Sequence, residues 1–228
     1  MFKNQIQSFL ITGRYLKLLS TIFFISIIIC IPVSSSLSQA HHGKENMETI
    51  DKMRDRDLKP EKIMDVIGLK EGMIVGEAGA SYGYFTFKMS KRVGNKGIVY
   101  ANDIDPEALQ IINERCKSEK ITNIETVLGK VEDPLYPKKK LDMVVVFDCL
   151  FHFSQPVKWM QNTSKYLKPE GKLVIVDPDP SKIGGGDSFL TRKEIYGFAR
   201  EAGYKVIKVD DSFLKGNMII VLQAVQQK

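Results

Sequence analysis

The chain has 228 residues, 33 Lys plus Arg against 27 Asp plus Glu for a net charge of +6, and 43% apolar and 26% charged residues. That composition excludes global disorder, a polytopic membrane protein, collagen, a coiled coil and a disulfide miniprotein, and the length suits one ordinary domain with an appendage. The charge must be located before a nucleic-acid or anionic-surface partner is read from it.

Residues 1–40 carry Lys3, Arg14 and Lys17 and no acidic residue, so half of the net charge lies there. From Leu18 to Val33 the segment is apolar apart from Ser20, Thr21 and Ser26, and small residues follow up to Ala40. A basic start, a short apolar core and a small-residue end form the layout of a secretory signal peptide, with cleavage after Ala40. An uncleaved anchor through residues 18–33 is the alternative. Both predict an exported, periplasmic or otherwise extracytoplasmic domain at 41–228, on the side opposite the basic flank. That remainder has 30 basic against 27 acidic residues, which gives no strong case for nucleic acid. Cys116 and Cys149 read as buried free thiols, and His41, His42 and His152 lack metal-ligand spacing.

From Met47 onward, apolar runs alternate with helical patterns, the signature of a parallel sheet flanked by helices. Met53 to Leu69 reads as one helix with Pro60 at the start of its stronger half, and Met73 to Val75 begins the first strand. The strand ends in a glycine-bearing turn, Gly76 to Gly83, followed by a helix with Phe85, Met89 and Val93 on one face and Gly94 at its end. Ile98 to Ala101 is the second strand, and Asp105-Pro106 starts the next helix as N-cap and first position. Strands three and four fit Ile124 to Leu128 and Met143 to Phe147, a helix fits Pro156 to Leu167, and strand five Lys172 to Val176. Ser181 to Ser188 reads as a flexible loop, Thr191 to Glu194 as a capping box opening the last helix, and Lys205 to Val209 and Met218 to Leu222 as the last strands. The expectation is an α/β, three-layer, Rossmann-like sheet of seven strands.

In an open α/β sheet a ligand sits beyond the carboxyl ends of the strands. Gly79-x-x-x-Gly83 lacks the G-x-G-x-x-G spacing of a dinucleotide site, and Glu77 beside it would repel a phosphate but favour an ammonium. Asp103 ends strand two, where an acidic side chain can accept hydrogen bonds from a ribose. A ligand bearing ammonium and ribose but no phosphate describes S-adenosyl-L-methionine. A plain strand-to-helix turn and a solvent-facing cap are the simpler alternatives, and the joint spacing weighs against both.

Val75 to Thr86 resembles the first motif of class I S-adenosylmethionine-dependent methyltransferases of the small-molecule, type 11 kind, and Val99 to Asp105 resembles their second. Leu141 to Asp148 with Leu150 to Phe153 resembles the fourth, and Leu167 to Leu173 the segment before strand five. By that resemblance the last strand is antiparallel. Glu77 and Gly79 would hold the methionine portion, with Ala78 and Gly83 in the same cofactor-binding turn. Asp103 would hold the ribose hydroxyls, Ile104 one adenine face, and Val131 and Glu132 the adenine edge, while Asp148 and Cys149 would flank the methionine end. Ser81 replaces the usual middle glycine and Lys130 a common acidic residue, departures that bear on how tightly the cofactor binds.

Methyl transfer from a sulfonium mainly needs alignment and a base for any proton on the nucleophile. His152, just past strand four, is the candidate general base; a histidine packed into the following turn is the alternative. Asp177, Asp179 and Asp187 would orient a substrate or serve as caps and turns. A small-molecule or lipid-like, membrane-associated acceptor is expected. The rival readings are an exported, non-enzymatic binding module that reuses the fold, and a dinucleotide-dependent enzyme, which the glycine spacing disfavours.

Overall fold

The computed structural model describes residues 49–137, 141–184 and 188–225. The signal or anchor segment expected at 1–40 and Asp187 lie outside them.

Residues 49–58 are helical (α1), followed in chain order by α2 (Pro60–Ile67), β1 (Ile74–Ala78), α3 (Tyr84–Val93), β2 (Ile98–Asp103) and α4 (Pro106–Glu119). Then come β3 (Ile124–Leu128), β4 (Leu141–Phe147), α5 (Pro156–Thr163), β5 (Leu167–Pro178), α6 (Pro180–Ile183), α7 (Arg192–Glu201), β6 (Tyr204–Val209) and β7 (Asn217–Ala224). The strands form one sheet in the order β3-β2-β1-β4-β5-β7-β6. β7 runs antiparallel to both of its neighbours, and the other pairings are parallel. This is the seven-stranded, Rossmann-like architecture expected, antiparallel last strand included.

Alternate residues of each strand feed opposite faces, as a pleated strand requires. Met143, Val145 and Phe147 of β4 pack with Ile63 and Met64 of α2 and with Phe85 and Met89 of α3. Val144 and Val146 pack on the other face with Trp159 of α5 and Ile195 of α7. Because β2 lies on one side of β1 and β4 on the other, the connections diverge at β1. The crevice at its carboxyl end is where such sheets take ligands.

Several boundaries differ from the sequence reading. The single helix expected over Met53 to Leu69 is broken at Lys59, whose φ is 50°. Pro60 has no N–H, and its ring disfavours helical backbone before it, so α2 must start afresh with proline at its first position. α5 stops at Thr163 rather than Leu167, because Leu167 already pairs with Leu141 in the sheet; the ladder then shifts register before resuming at Met143 and Lys172. The loop expected over Ser181 to Ser188 begins inside a short helix, α6, capped by Asp179, whose carboxylate accepts from the Ser181 N–H at 3.1 Å. The Thr191–Glu194 capping box and the Asp105 cap with Pro106 at the first helical position are present.

Candidate active site

A cavity of about 530 Å³ opens at the carboxyl ends of β1, β2 and β4. Its floor is the turn after β1. Gly79 has a φ of +71°, and a Cβ there would lie 2.5 Å from the Cys149 sulfur, so only glycine lets the turn and the post-β4 loop approach each other. The Cys149 thiol donates to the Ala78 carbonyl at 3.1 Å. Burial pushes that thiol well above its ordinary range, and Asp177, Glu77, Asp103 and Asp148 add to the effect, so it stays protonated and serves as a plug rather than a nucleophile.

Ser81 adopts the positive φ that would favour glycine, 48°, at a cost of about 1 kcal/mol or more. Its N–H donates to Asp103 Oδ2 at 2.8 Å, while Asp103 Oδ1 accepts from the Asp105 N–H at 3.0 Å. Two backbone donors thus fix this carboxylate at the end of β2, with lone pairs left for a ligand. Gly83, at φ +86°, caps α3; a Cβ there would strike the Phe87 ring at 2.6 Å.

Glu77 is the deepest acid, 2% exposed at the end of β1 and hydrogen bonded by the Thr86 hydroxyl. Burial raises its carboxyl to about 8; the Thr86 bond and the Arg54 charge pull the other way without cancelling it. At neutral pH the carboxyl therefore keeps a proton that a cation could displace.

The post-β4 loop supplies the opposite wall. Asp148 has φ 57°, a left-handed conformation that aspartate tolerates better than most residues, and its N–H donates to the Val176 carbonyl at 2.7 Å. Burial raises its carboxyl, offset by Arg54 and His152. Asp177 at the end of β5 accepts the N–H groups of Cys149 at 2.9 Å and Leu150 at 3.4 Å. Its other oxygen is buried without a partner, and burial lifts the carboxyl to about 7. His152 ends the short turn Leu150–His152 at the cavity wall, with the Phe151 ring 4.1 Å from its own.

Of the residues singled out from the sequence, Glu77, Gly79, Asp103, Ile104, Val131, Asp148, Cys149 and His152 line this cavity together. Ala78 and Gly83 do not line it; they shape the turn. Glu132 is a departure: its carboxylate is engaged by Gln155 at 2.9 Å and its carbonyl by Asn162 at 2.8 Å, while Lys130 and Val131 supply the wall on that side. Asp177 and Asp179 take the structural alternative. The first pegs the post-β4 loop, and the second caps α6 and pairs with Arg192 at 2.6 Å. Ile50, Asp51 and Arg54 of α1, none of them singled out from the sequence, close one side. Sequence reading missed the aromatic surface of Tyr84, Phe147, Phe153 and Trp159. Alternating charges at helical spacing in α1 were the available signal, but nothing local says that this face meets a cavity. Among the described residues no cluster could hold a metal ion, and no helix is long and apolar enough to cross a membrane.

S-adenosylmethionine fits this arrangement. The buried carboxyl of Glu77 suits an ammonium, a held carboxylate ends β2, and the glycine turn leaves room for backbone contact. The fold and the cavity together suit the class of S-adenosylmethionine-dependent methyltransferases.

Comparison with known proteins names the family. A profile described as a methyltransferase domain matches residues 69–203, more than half of the chain, and the chain belongs to that family. A ubiquinone/menaquinone biosynthesis C-methyltransferase, UbiE, of Vibrio vulnificus is 27% identical over 115 residues, which is 50% of this chain and 44% of the relative. The chain thus matches under half the length of that curated relative. A methyltransferase of Aquifex aeolicus, described as SAM dependent, superposes with a TM-score of 0.71 at 24% identity, covering 79% of this chain and 98% of that one. A geranyl diphosphate C-methyltransferase of Streptomyces coelicolor gives 0.62 at 14% identity, covering 76% and 82%. The [4+2]-cyclase SpnF gives 0.63 at 13% identity, covering 75% and 81%, which cautions against reading chemistry from the fold alone.

Proposed function

We propose that the chain transfers a methyl group from S-adenosylmethionine to a small, largely apolar acceptor by in-line displacement. The carrying observation is the pairing of buried Glu77 at the end of β1 with backbone-held Asp103 at the end of β2, around a turn that only Gly79 can make. Bound, the cofactor supplies an activated methyl on a positively charged sulfur. The protein then has three tasks. Glu77 and Asp148 favour the cationic amino-acid end, Asp103 accepts from the ribose hydroxyls, and Ile104 and Val131 provide apolar surface for the adenine. His152, which lines the cavity, would take a proton from an acceptor that carries one.

The aromatic side chains Tyr84, Phe147 and Phe153 support an apolar acceptor, and the C-methyltransferase names of the relatives support a carbon nucleophile. We further propose that residues 1–40 direct export or anchor the domain, which would favour a lipid-like acceptor at a membrane surface. N-terminal sequencing of protein from its native host should begin at His41; an intact Met1 with a domain cleavable only after lysis opposes this.

Calorimetric titration with S-adenosylmethionine, S-adenosylhomocysteine and NAD tests the main reading. The first two should bind, Asp103→Ala should weaken both, and NAD should not bind. Absence of binding at millimolar ligand sinks the methyltransferase reading, and binding without transfer to any component of a metabolite extract favours the non-enzymatic module.

A further inference from the structure

Four carboxylates line the cavity, those of Asp51, Glu77, Asp103 and Asp148, yet the proposed ligand carries a carboxylate as well as an ammonium at its amino-acid end. Both groups sit on one carbon. Whatever places the ammonium near Glu77 therefore brings the ligand's carboxylate within a few ångströms of the same acids. Without a cation at that spot, repulsion would cancel much of the attraction.

Arg54 supplies the cation. Its Nη2 lies 3.3 Å from Asp148 Oδ2, and its charge is felt by the Glu77 carboxyl. Lys130 is the other permanent cation of the wall, but it follows β3, two strands across from β1, which is about 10 Å at the usual strand spacing. The Arg54 guanidinium lies over the Tyr84 ring, 4.1 Å from its centroid, so the cation is held at the cavity wall. Its contact with Asp148 is long for a charge-assisted bond and uses one of five donors. α1 itself is pinned: Asp55 accepts from the Tyr84 hydroxyl at 2.9 Å and pairs with Lys88 at 2.6 Å.

The Arg54–Asp148 pair is a copy of the ligand's own charges, guanidinium for ammonium and carboxylate for carboxylate. We propose that Arg54 is the anchor of the cofactor's α-carboxylate, exchanging Asp148 for it on binding and so leaving Asp148 free to face the ammonium. This rests on the reading of the cavity as an S-adenosylmethionine site. Arg54 becomes the residue by which the site selects an amino-acid sulfonium over an amine-only analogue. Because it sits on α1, cofactor binding also clamps that helix onto the sheet.

The test is titration of the full chain with S-adenosylmethionine and with its decarboxylated analogue, for the native protein, R54Q and R54K, with ligand-free melts as a check on folding. The native protein should prefer the carboxylated ligand at least about tenfold. R54Q should weaken S-adenosylmethionine about ten- to a hundredfold and change the decarboxylated analogue less than about twofold. R54K should fall between, since lysine keeps the charge but loses the planar fork. Equal binding of both ligands by the native protein, or equal weakening of both in R54Q, overturns the inference, the latter because Arg54 would then only hold the wall. Failure of the native protein to bind either ligand instead removes the cofactor reading itself, so the two failures are distinguishable.

Discussion

At the scale of single residues, the site is built from groups that cost stability where they stand. Burial raises the Glu77 carboxyl from its ordinary 4.5 to about 8, so its contribution to stability is full below pH 4.5 and is lost as pH rises toward 8. E77Q should therefore melt higher than the native protein, with a gap that widens from pH 5 to pH 8, while losing most affinity for S-adenosylmethionine; a constant gap would show that Glu77 is not buried as an acid. In the native protein, binding of the cation should release about one proton at pH 7, measurable by calorimetry in buffers of different ionisation enthalpy, and E77Q should release none. Asp177 follows the same sign, raised from 3.8 to about 7. D177N keeps the acceptor for Cys149 and Leu150 and should flatten the loss of stability between pH 6 and pH 8. D177A frees the loop that carries Asp148 and His152, and should lower kcat/KM about tenfold or more in a transfer assay. Strain at Ser81 gives the opposite kind of expectation: S81G should stabilise the protein by about 1 kcal/mol in urea denaturation, because glycine takes a φ of 48° without the Cβ penalty and keeps the N–H to Asp103.

At the scale of elements, what the sequence made legible was whatever its local chemistry determined. Strand alternation, the Asp105-Pro106 start and the Thr191 to Glu194 box are each decided within a few residues, and each stands where it was read. The boundaries that moved were decided by distant partners. Leu167 leaves the helical pattern because Leu141 is beside it, and the two halves of the first helix separate because Pro60 forbids continuity while Ile63 and Met64 bury themselves against the sheet. The same distinction runs through the site. Glu77, Gly79 and Asp103 sit on strand ends and could be placed from spacing. Glu132 could not, because the side chain that claims it, Gln155, lies 23 residues on. Arg54 could not, since its partner Asp148 is 94 positions away. Gly79 and Cys149 join both cases: G79A should destabilise through the left-handed φ and through the Cys149 sulfur 2.5 Å and Cβ 3.1 Å from the new methyl, and C149A should relieve only the clash with the sulfur. In a double-mutant cycle read by denaturation, the two substitutions should therefore couple favourably, leaving about 1 kcal/mol or more from the backbone and the remaining Cβ contact of G79A.

At the scale of the whole molecule, the cavity has walls of unequal standing. The turn after β1, the end of β2 and the post-β4 loop belong to the sheet, whose central strands are buried on both faces. α1 is different: its residues are exposed or half-exposed throughout, and it is tied to the rest by polar contacts of Asp55 and Arg54 and by half-buried Leu58, which packs against the core. Polar surface ties of this kind contribute little stability each. α2, by contrast, buries Ile63, Met64 and Ile67 in the core. Truncation up to Lys59 should therefore leave a cooperatively folding domain whose midpoint falls by only about 5 °C or less, since about 1 kcal/mol shifts a domain of this size by roughly 2–4 °C. Affinity for S-adenosylmethionine should nonetheless fall at least about tenfold, because Ile50, Asp51 and Arg54 leave together. Thermal melts and titration on the same preparation separate the outcomes. A collapse of the melt would make α1 part of the core, contrary to its exposure. An unchanged affinity with an unchanged melt would assign the cofactor to the sheet walls alone.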